Sequence, residues 1–220
     1  METAFFVQAL VGLFAVVDPF SASTIFIVMT ADNTAGERRA MARRASLVTL
    51  LVLVTFLLLG QTILHFFSVS LAAFQVAGGL LLGLMSMDSL KAFRTGVRST
   101  RYEKQEGVEK ADVSVTPLAV PLLAGPGAIS LVVLYAAEHP GLQAKAMLAL
   151  VVVVVSLLTW LILRSADRMV DLVGRTGFNV LSRLIGLVVL AIAVQYVFEG
   201  ASQMWGGGGS GTLVPLSSVM

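Results

Sequence analysis

Two short stretches of this chain carry its most distinctive chemistry: Asp18-Pro19-Phe20-Ser21 and Gly125-Pro126-Gly127. Each interrupts a long apolar run. Proline removes a backbone donor and clashes with the preceding turn, and glycine frees the backbone, so neither run continues as one unbroken helix. After each break a half-helix begins, and its first amides have no partner within the helix. Those amides, together with the helix dipole, favour an anion, typically a carboxylate. Hydroxyls gather at the same places: Ser21, Ser23 and Thr24 after the first break, Ser130 after the second. They can cap a helix or donate to a ligand. Gly125 and Gly127 leave room for a ligand to touch the backbone. The surrounding side chains are small or apolar (Phe20, Ala22, Ala124, Ala128), and no arginine stands beside either break. A small zwitterion fits such a setting.

A few further polar residues interrupt apolar sequence. Asp18 is placed either to cap the half-helix that follows it or to meet a substrate or cation. Asp88 sits within or at the end of an apolar run, where a carboxylate is costly and functional by default, although Lys91 nearby also suits an interfacial aspartate. Gln75 and Gln195 can hydrogen-bond between helices or line a polar pathway. His65 and His139 are isolated and make no metal site. There is no nucleophile–base–orienter set, no phosphate-binding loop and no HExxH, so an enzyme is not expected, nor is a cofactor or metal.

These residues must be held by membrane-spanning helices. The chain has 220 residues, 57% hydrophobic and 13% charged, with a mean hydropathy of +0.90. Soluble domains run nearer 45–50% apolar and about 25% charged. Several runs exceed the roughly 18 apolar residues that mark a bilayer span. Six spans are expected: 3–30 broken at Asp18-Pro19, 45–67, 71–93, 113–137 broken at Gly125-Pro126, 144–163 and 178–204. A polar connector covers 31–44, a charged linker 94–112, a turn 138–143 and a basic loop 164–177. The glycine-rich end, 206–220, reads as a flexible tail. With no signal-peptide pattern at the N-terminus, the first run is expected to remain as a span. Cysteine is absent, which rules out disulfides and thiolate metal sites.

Fourteen of the fifteen Lys and Arg residues fall on one side of this six-span scheme, and only Lys145 falls on the other. The positive-inside rule then puts the basic connectors in the cytoplasm and both termini outside. The net charge of +2 therefore reports on topology, and nucleic acid is not an expected partner.

Pro19 and Pro126 lie 107 positions apart. The same shift superposes Ser23 on Ser130, Gly79 on Gly186 and Asp88 on Gln195. Three spans per half is an odd number, so two such repeats must be inverted in the membrane, a design common among secondary transporters. The expected architecture is all-α: a first three-helix repeat over 1–93, the linker 94–112, a second repeat over 113–205 and the tail 206–220, with helices one and four broken.

Four segments resemble the MarC family, also called the small neutral amino acid transporter family. They are VVDPFSASTIF (16–26), FQVAGGLLLGLMSMDSL (74–90), PLAVPLLAGPGAIS (117–130) and GFNVLSRLIGLVVLAIAVQYVFEG (177–200). The resemblance implies a six-span bacterial inner-membrane protein and, for some members, transport of glycine, alanine and similar amino acids. At the first break this chain departs from the family pattern. Ser21, Ala22 and Thr24 stand where members commonly carry Gly, Asn and a second Pro, which bears on substrate identity more than on fold.

The expectation is a secondary transporter of small neutral amino acids working by alternating access. Asp18, Pro19, Phe20, Ser21, Ser23, Thr24, Gly125, Pro126, Gly127 and Ser130 would bind substrate. Asp88, Gln75 and Gln195 would lie on the coupling or polar pathway, with H+ or Na+ as the driving cation. The alternatives are a passive channel, with the breaks as its filter, and a non-transporting membrane protein of the stress response.

Overall fold

The computed structural model describes residues 2–91 and 123–205; at 2–3, 88–89, 91, 167–176 and 178–179 it describes the backbone alone. The linker 94–112, the first part of the fourth span and the tail after 205 lie outside the described residues. Among those described, the regular structure is entirely helical.

The first apolar run forms α1 (Glu2–Val17) and α2 (Pro19–Met29). Only Asp18 separates them, in the left-handed region at φ 41° and ψ 64°. Its amide still bonds Phe14 O at 3.1 Å and its carbonyl accepts from Ala22 at 3.2 Å. Pro19 takes the first helical position of α2, where a missing donor costs nothing.

Helix α3 (Ala35–Phe66) begins ten residues before the expected span. The sequence 31–44, read as a connector because of its arginines, is mostly helical. The cause is a reciprocal cap: Glu37 N donates to Thr34 Oγ1 at 3.3 Å, and Thr34 N donates to Glu37 Oε2 at 2.8 Å. The pattern Thr-x-x-Glu is itself a helix-start signal, and charge does not oppose helix formation. Ser68, at φ 54°, closes the turn into α4 (Leu71–Lys91). Helix α5 (Pro126–Glu138) follows the second break.

Helical backbone, numbered α6, covers Leu142–Trp205. The stretch 164–177, expected as a basic loop, has helical backbone, but it also lies where the chain has to turn back, and it holds Gly174 and Gly177. A straight helix of this length would run about 96 Å, yet both of its ends lie at one end of the bundle. His139, just before it, stacks on Phe5 with ring centroids 4.1 Å apart, and Gln203 bonds Gln75 near the start of α4. Trp160 and Arg164 instead meet Gly36 and Arg43 at the opposite end. The chain thus reverses between two apolar arms, Leu142–Ala166 and Val180–Trp205.

The largest interface joins α4 to α6. Gly79 lies against Ala193 and Val197, while Gly200 lies against Ala72 and Val76. Rising numbers on one helix meet falling numbers on the other, so α4 and the second arm run antiparallel. A Cβ on Gly79 would stand 2.8 Å from the Ala193 carbonyl oxygen, and one on Gly200 would stand 2.7 Å from that of Ala72. Only glycine permits this approach, which is how membrane helices pack without a hydrophobic drive.

Helix α5 is the centre of the molecule. From Gly127 to Ala136 every residue except Ile129 is buried, as suits a helix apolar all round. The outer helices instead expose leucines to the surroundings, among them Leu51 and Leu58 on α3 and Leu157 and Leu187 on α6. Among the described residues, four helical stretches are long and apolar enough to cross a bilayer: Ala4–Met29, Ala35–Phe66, Leu142–Ala166 and Val180–Trp205. Such an apolar exterior belongs in lipid, since soluble monomers rarely expose large apolar patches.

Candidate functional site

The two breaks are built differently. At the first, Asp18 caps α2 with its own carboxylate. The Ser21 amide donates to Asp18 Oδ1 at 3.3 Å, and the Ser21 hydroxyl makes a short bond to Oδ2. Ser21 Oγ also lies 3.0 Å from Ser182 Oγ on the second arm of α6. Ser23 and Thr24 turn their hydroxyls back onto their own helix, donating to Phe20 O at 2.7 Å and 3.4 Å. Pro19 is buried, and Phe20 packs edge-on against Phe14 with centroids 5.8 Å apart. An anion already occupies this N-terminus, so its dipole is offset from within the chain.

At the second break, among the described residues, no side chain caps the helix. Gly125 is the N-cap residue of α5, with extended backbone (φ −71°, ψ 170°) and no side-chain hydrogen bond. Pro126 occupies the first helical position, and the first amide with a helical partner is Ile129, bonded to Gly125 O at 3.1 Å. Gly127 presses on α4, where a Cβ would lie 2.7 Å from Leu82 Cδ2 and 3.1 Å from Met85 Sδ. Its lack of a side chain serves helix packing, where ligand access was expected. Ser130 is buried, its Cβ against Gly78.

The breaks also rest on different neighbours, in a reciprocal manner. α2 leans on the second arm of α6, and α5 leans on α4. Each broken helix therefore contacts a helix from the other part of the sequence, and α5 also packs on α3, where Gly60 meets Val133.

A polar cluster lies at the end of the bundle that also holds Phe5 and His139. Gln75, only 1% exposed, donates through Nε2 to Glu199 Oε2 at 3.1 Å and accepts from Gln203 at 3.4 Å. Gln195 donates to Glu199 Oε1 at 2.7 Å. The Tyr135 and Tyr196 hydroxyls hydrogen-bond each other, Gln61 reaches Ala136 O at 2.9 Å, and the Glu138 and Glu199 charges repel. Gln75 and Gln195, paired in expectation as pathway residues, thus meet on one carboxylate. That carboxylate was missed, although the rule that singles out an acid in an apolar span applies to Glu199 as fully as to Asp88. The Asp88 side chain lies outside the described residues.

Comparison with known proteins fixes the family. A model of the MarC family of integral membrane proteins matches residues 3–205. The chain belongs to the MarC family. It is 36% identical over 200 residues to a UPF0056 membrane protein of Methanocaldococcus jannaschii, covering 91% of this chain and 97% of that one. It is 35% identical to the UPF0056 membrane protein YvbG of Bacillus subtilis over 93% of this chain and 98% of the relative. Identity to YhcE of Escherichia coli is 31%, over 90% and 92% of the two chains. No solved structure matches. This MarC protein is therefore an integral membrane protein, and its relatives' names state membrane residence without a substrate.

Proposed function

We infer that this MarC protein is a secondary transporter of small neutral amino acids, working by alternating access between two inverted repeats of three spans. The observation that carries this reading is the reciprocal seating of the broken helices. A two-fold axis in the membrane plane exchanges the halves, so it must place α2 on the second arm of α6 if it places α5 on α4. The antiparallel run of α4 and that arm is what the same axis demands of two equivalent helices. Membrane proteins keep irregular backbone only where it is buried or lines a cavity, and α5 starts at such a break in the middle of the fold.

The two breaks complement a zwitterion. The uncapped α5 amides suit a carboxylate. Asp18 offers the opposite charge to an ammonium, with Ser21 beside it. Small or apolar neighbours, Ala124, Ala128 and Phe20, select a short uncharged side chain, so glycine, alanine and serine fit. A cation, H+ or Na+, supplies the driving force, with Asp88 and the Gln75–Glu199–Gln195 cluster on its route. The protein sits in the bacterial inner membrane with both termini outside, and it carries out no covalent chemistry.

Competition in proteoliposomes tests the site. Alanine should displace labelled glycine, whereas alaninamide, which lacks the carboxylate, should not. Equal competition by alaninamide would mean that the α5 amides do not read an anion. Saturable counterflow of the labelled substrate is expected of a carrier; its absence would favour a passive pore.

A further inference from the structure

Several hydroxyls in this bundle turn back on their own helices. Thr30 donates to Phe26 O at 2.7 Å, Thr49 to Ala45 O at 2.9 Å and Thr159 to Val155 O at 2.8 Å, a common habit of a hydroxyl within a helix. Ser182, on the second arm of α6, reaches across to another helix instead. Its Oγ lies 3.0 Å from Ser21 Oγ, 161 positions earlier in the chain. Ser21 Oγ in turn makes its short bond to Asp18 Oδ2. The direction of these two bonds follows from counting protons. An ionised carboxylate only accepts, and a serine has a single hydroxyl proton. Ser21 gives its proton to Asp18, so Ser182 donates the bond between the two serines.

We propose that Ser182 is a positioning residue of the ligand site, holding the Asp18 carboxylate, through Ser21, where it meets the ammonium of a small amino acid. This rests on the transporter reading and adds to the first break a residue from the second half of the chain. Donation from Ser182 polarises the Ser21 hydroxyl and so strengthens its bond to Oδ2, while the Ser21 amide holds Oδ1 at 3.3 Å. Each carboxylate oxygen has two lone pairs, so both oxygens keep one for the N–H groups of a ligand. A ligand whose own carboxylate lies at α5 must bridge the two halves, and α2 alone cannot fix that span. Ser182 ties the carboxylate of the first half to a helix of the second. The 107-residue shift that relates the halves pairs Ser182 with Gln75, whose amide also holds a carboxylate, that of Glu199, at 3.1 Å. Both equivalent positions thus hold an acid from the opposite half of the sequence.

Glycine uptake by proteoliposomes separates this role from a simple tie between helices. Ser182→Ala should raise the KM for glycine about fivefold, the worth of one hydrogen bond, and leave the maximal rate little changed. Ser182→Thr, which keeps a hydroxyl, should retain most of the affinity. Glycolate, which has the carboxylate and lacks the ammonium, should inhibit Ser182→Ala and the unmodified protein with the same constant. An unchanged KM, or a loss of glycolate inhibition in parallel with glycine affinity, would overturn the proposal. Thermal unfolding in detergent tests the contact without any substrate. Ser182→Ala should lower the melting temperature of the unmodified protein but not lower it further once Ser21→Ala is present. Additive losses would show that the two serines do not meet, and would also overturn the proposal. Glycine uptake that fails to saturate in the unmodified protein, with the thermal coupling intact, would instead overturn the transporter reading and the ammonium as ligand with it.

Discussion

Asp18 and Gly125 occupy equivalent points of the two breaks, 107 positions apart, and leave opposite electrostatics behind them. Asp18 accepts a left-handed backbone, which costs a non-glycine residue about 1–3 kcal/mol, and in return its carboxylate satisfies Ser21. Gly125 brings no side chain, so the α5 terminus has no carboxylate of its own N-cap residue to offset its dipole. The proline and the break are visible in sequence at both places; which terminus is already filled is decided by side-chain rotamers and is not. Glu199 shows a second limit of the same kind. Its meaning comes from Gln75, 124 positions away in the chain, a pairing that sequence spacing does not reveal. Replacing Glu199 with Leu should strand the buried Gln75 amide and destabilise the protein by about 1–3 kcal/mol, the cost of an unsatisfied buried donor. Adding Gln75→Leu to that variant should restore much of the loss. Thermal unfolding of the purified variants in detergent checks both; a double variant no more stable than Glu199→Leu alone would mean that the two residues are not partners.

At the scale of the helices, apolar length located the four stretches that are long and apolar enough to cross a bilayer among the described residues, because hydropathy reports directly on what lipid will accept. The clear departure is the connector at 31–44. Its charge suggests a loop, but helix formation depends on capping and on the absence of proline, and Thr34-x-x-Glu37 supplies a cap that outweighs the run of arginines. How the helices press together was not legible: Gly79 meets Ala193 and Val197, and Gly200 meets Ala72 and Val76, pairings that only the antiparallel seam reveals. That seam makes a sharp prediction. Gly79→Val places a branched side chain against a backbone carbonyl that has no room to retreat, and should cost about 1–3 kcal/mol by overpacking. Gly141→Ala meets nothing within 4 Å and should change stability by less than about 0.5 kcal/mol. Equal melting temperatures for the two variants in the same detergent would show that α4 and the second arm of α6 do not meet at Gly79.

The whole molecule has two distinct ends, and the distinction does not depend on any choice of membrane face. Glu138 and Ser202 lie near the Gln75–Glu199 cluster, because Gln203 bonds Gln75 and Glu138 faces Glu199. Ala35 lines an arginine-rich cavity at the opposite end. An inverted pair of three-span repeats requires this arrangement, since each half crosses an odd number of times, and the arginine imbalance then selects which end faces the cytoplasm. The chain has no cysteine, so single cysteines introduced at these positions in intact cells report each claim separately. Glu138→Cys and Ser202→Cys should react with a membrane-impermeant maleimide from outside, whereas Ala35→Cys should react only after permeabilisation. Gln105→Cys, in the linker between the halves, should behave like Ala35→Cys if the segment before α5 enters from the arginine end. Exchanged labelling of all four positions would reverse the orientation and leave the repeat intact. Labelling of Glu138→Cys and Ser202→Cys from different sides would break the two-fold relation itself, and the alternating-access reading would go with it.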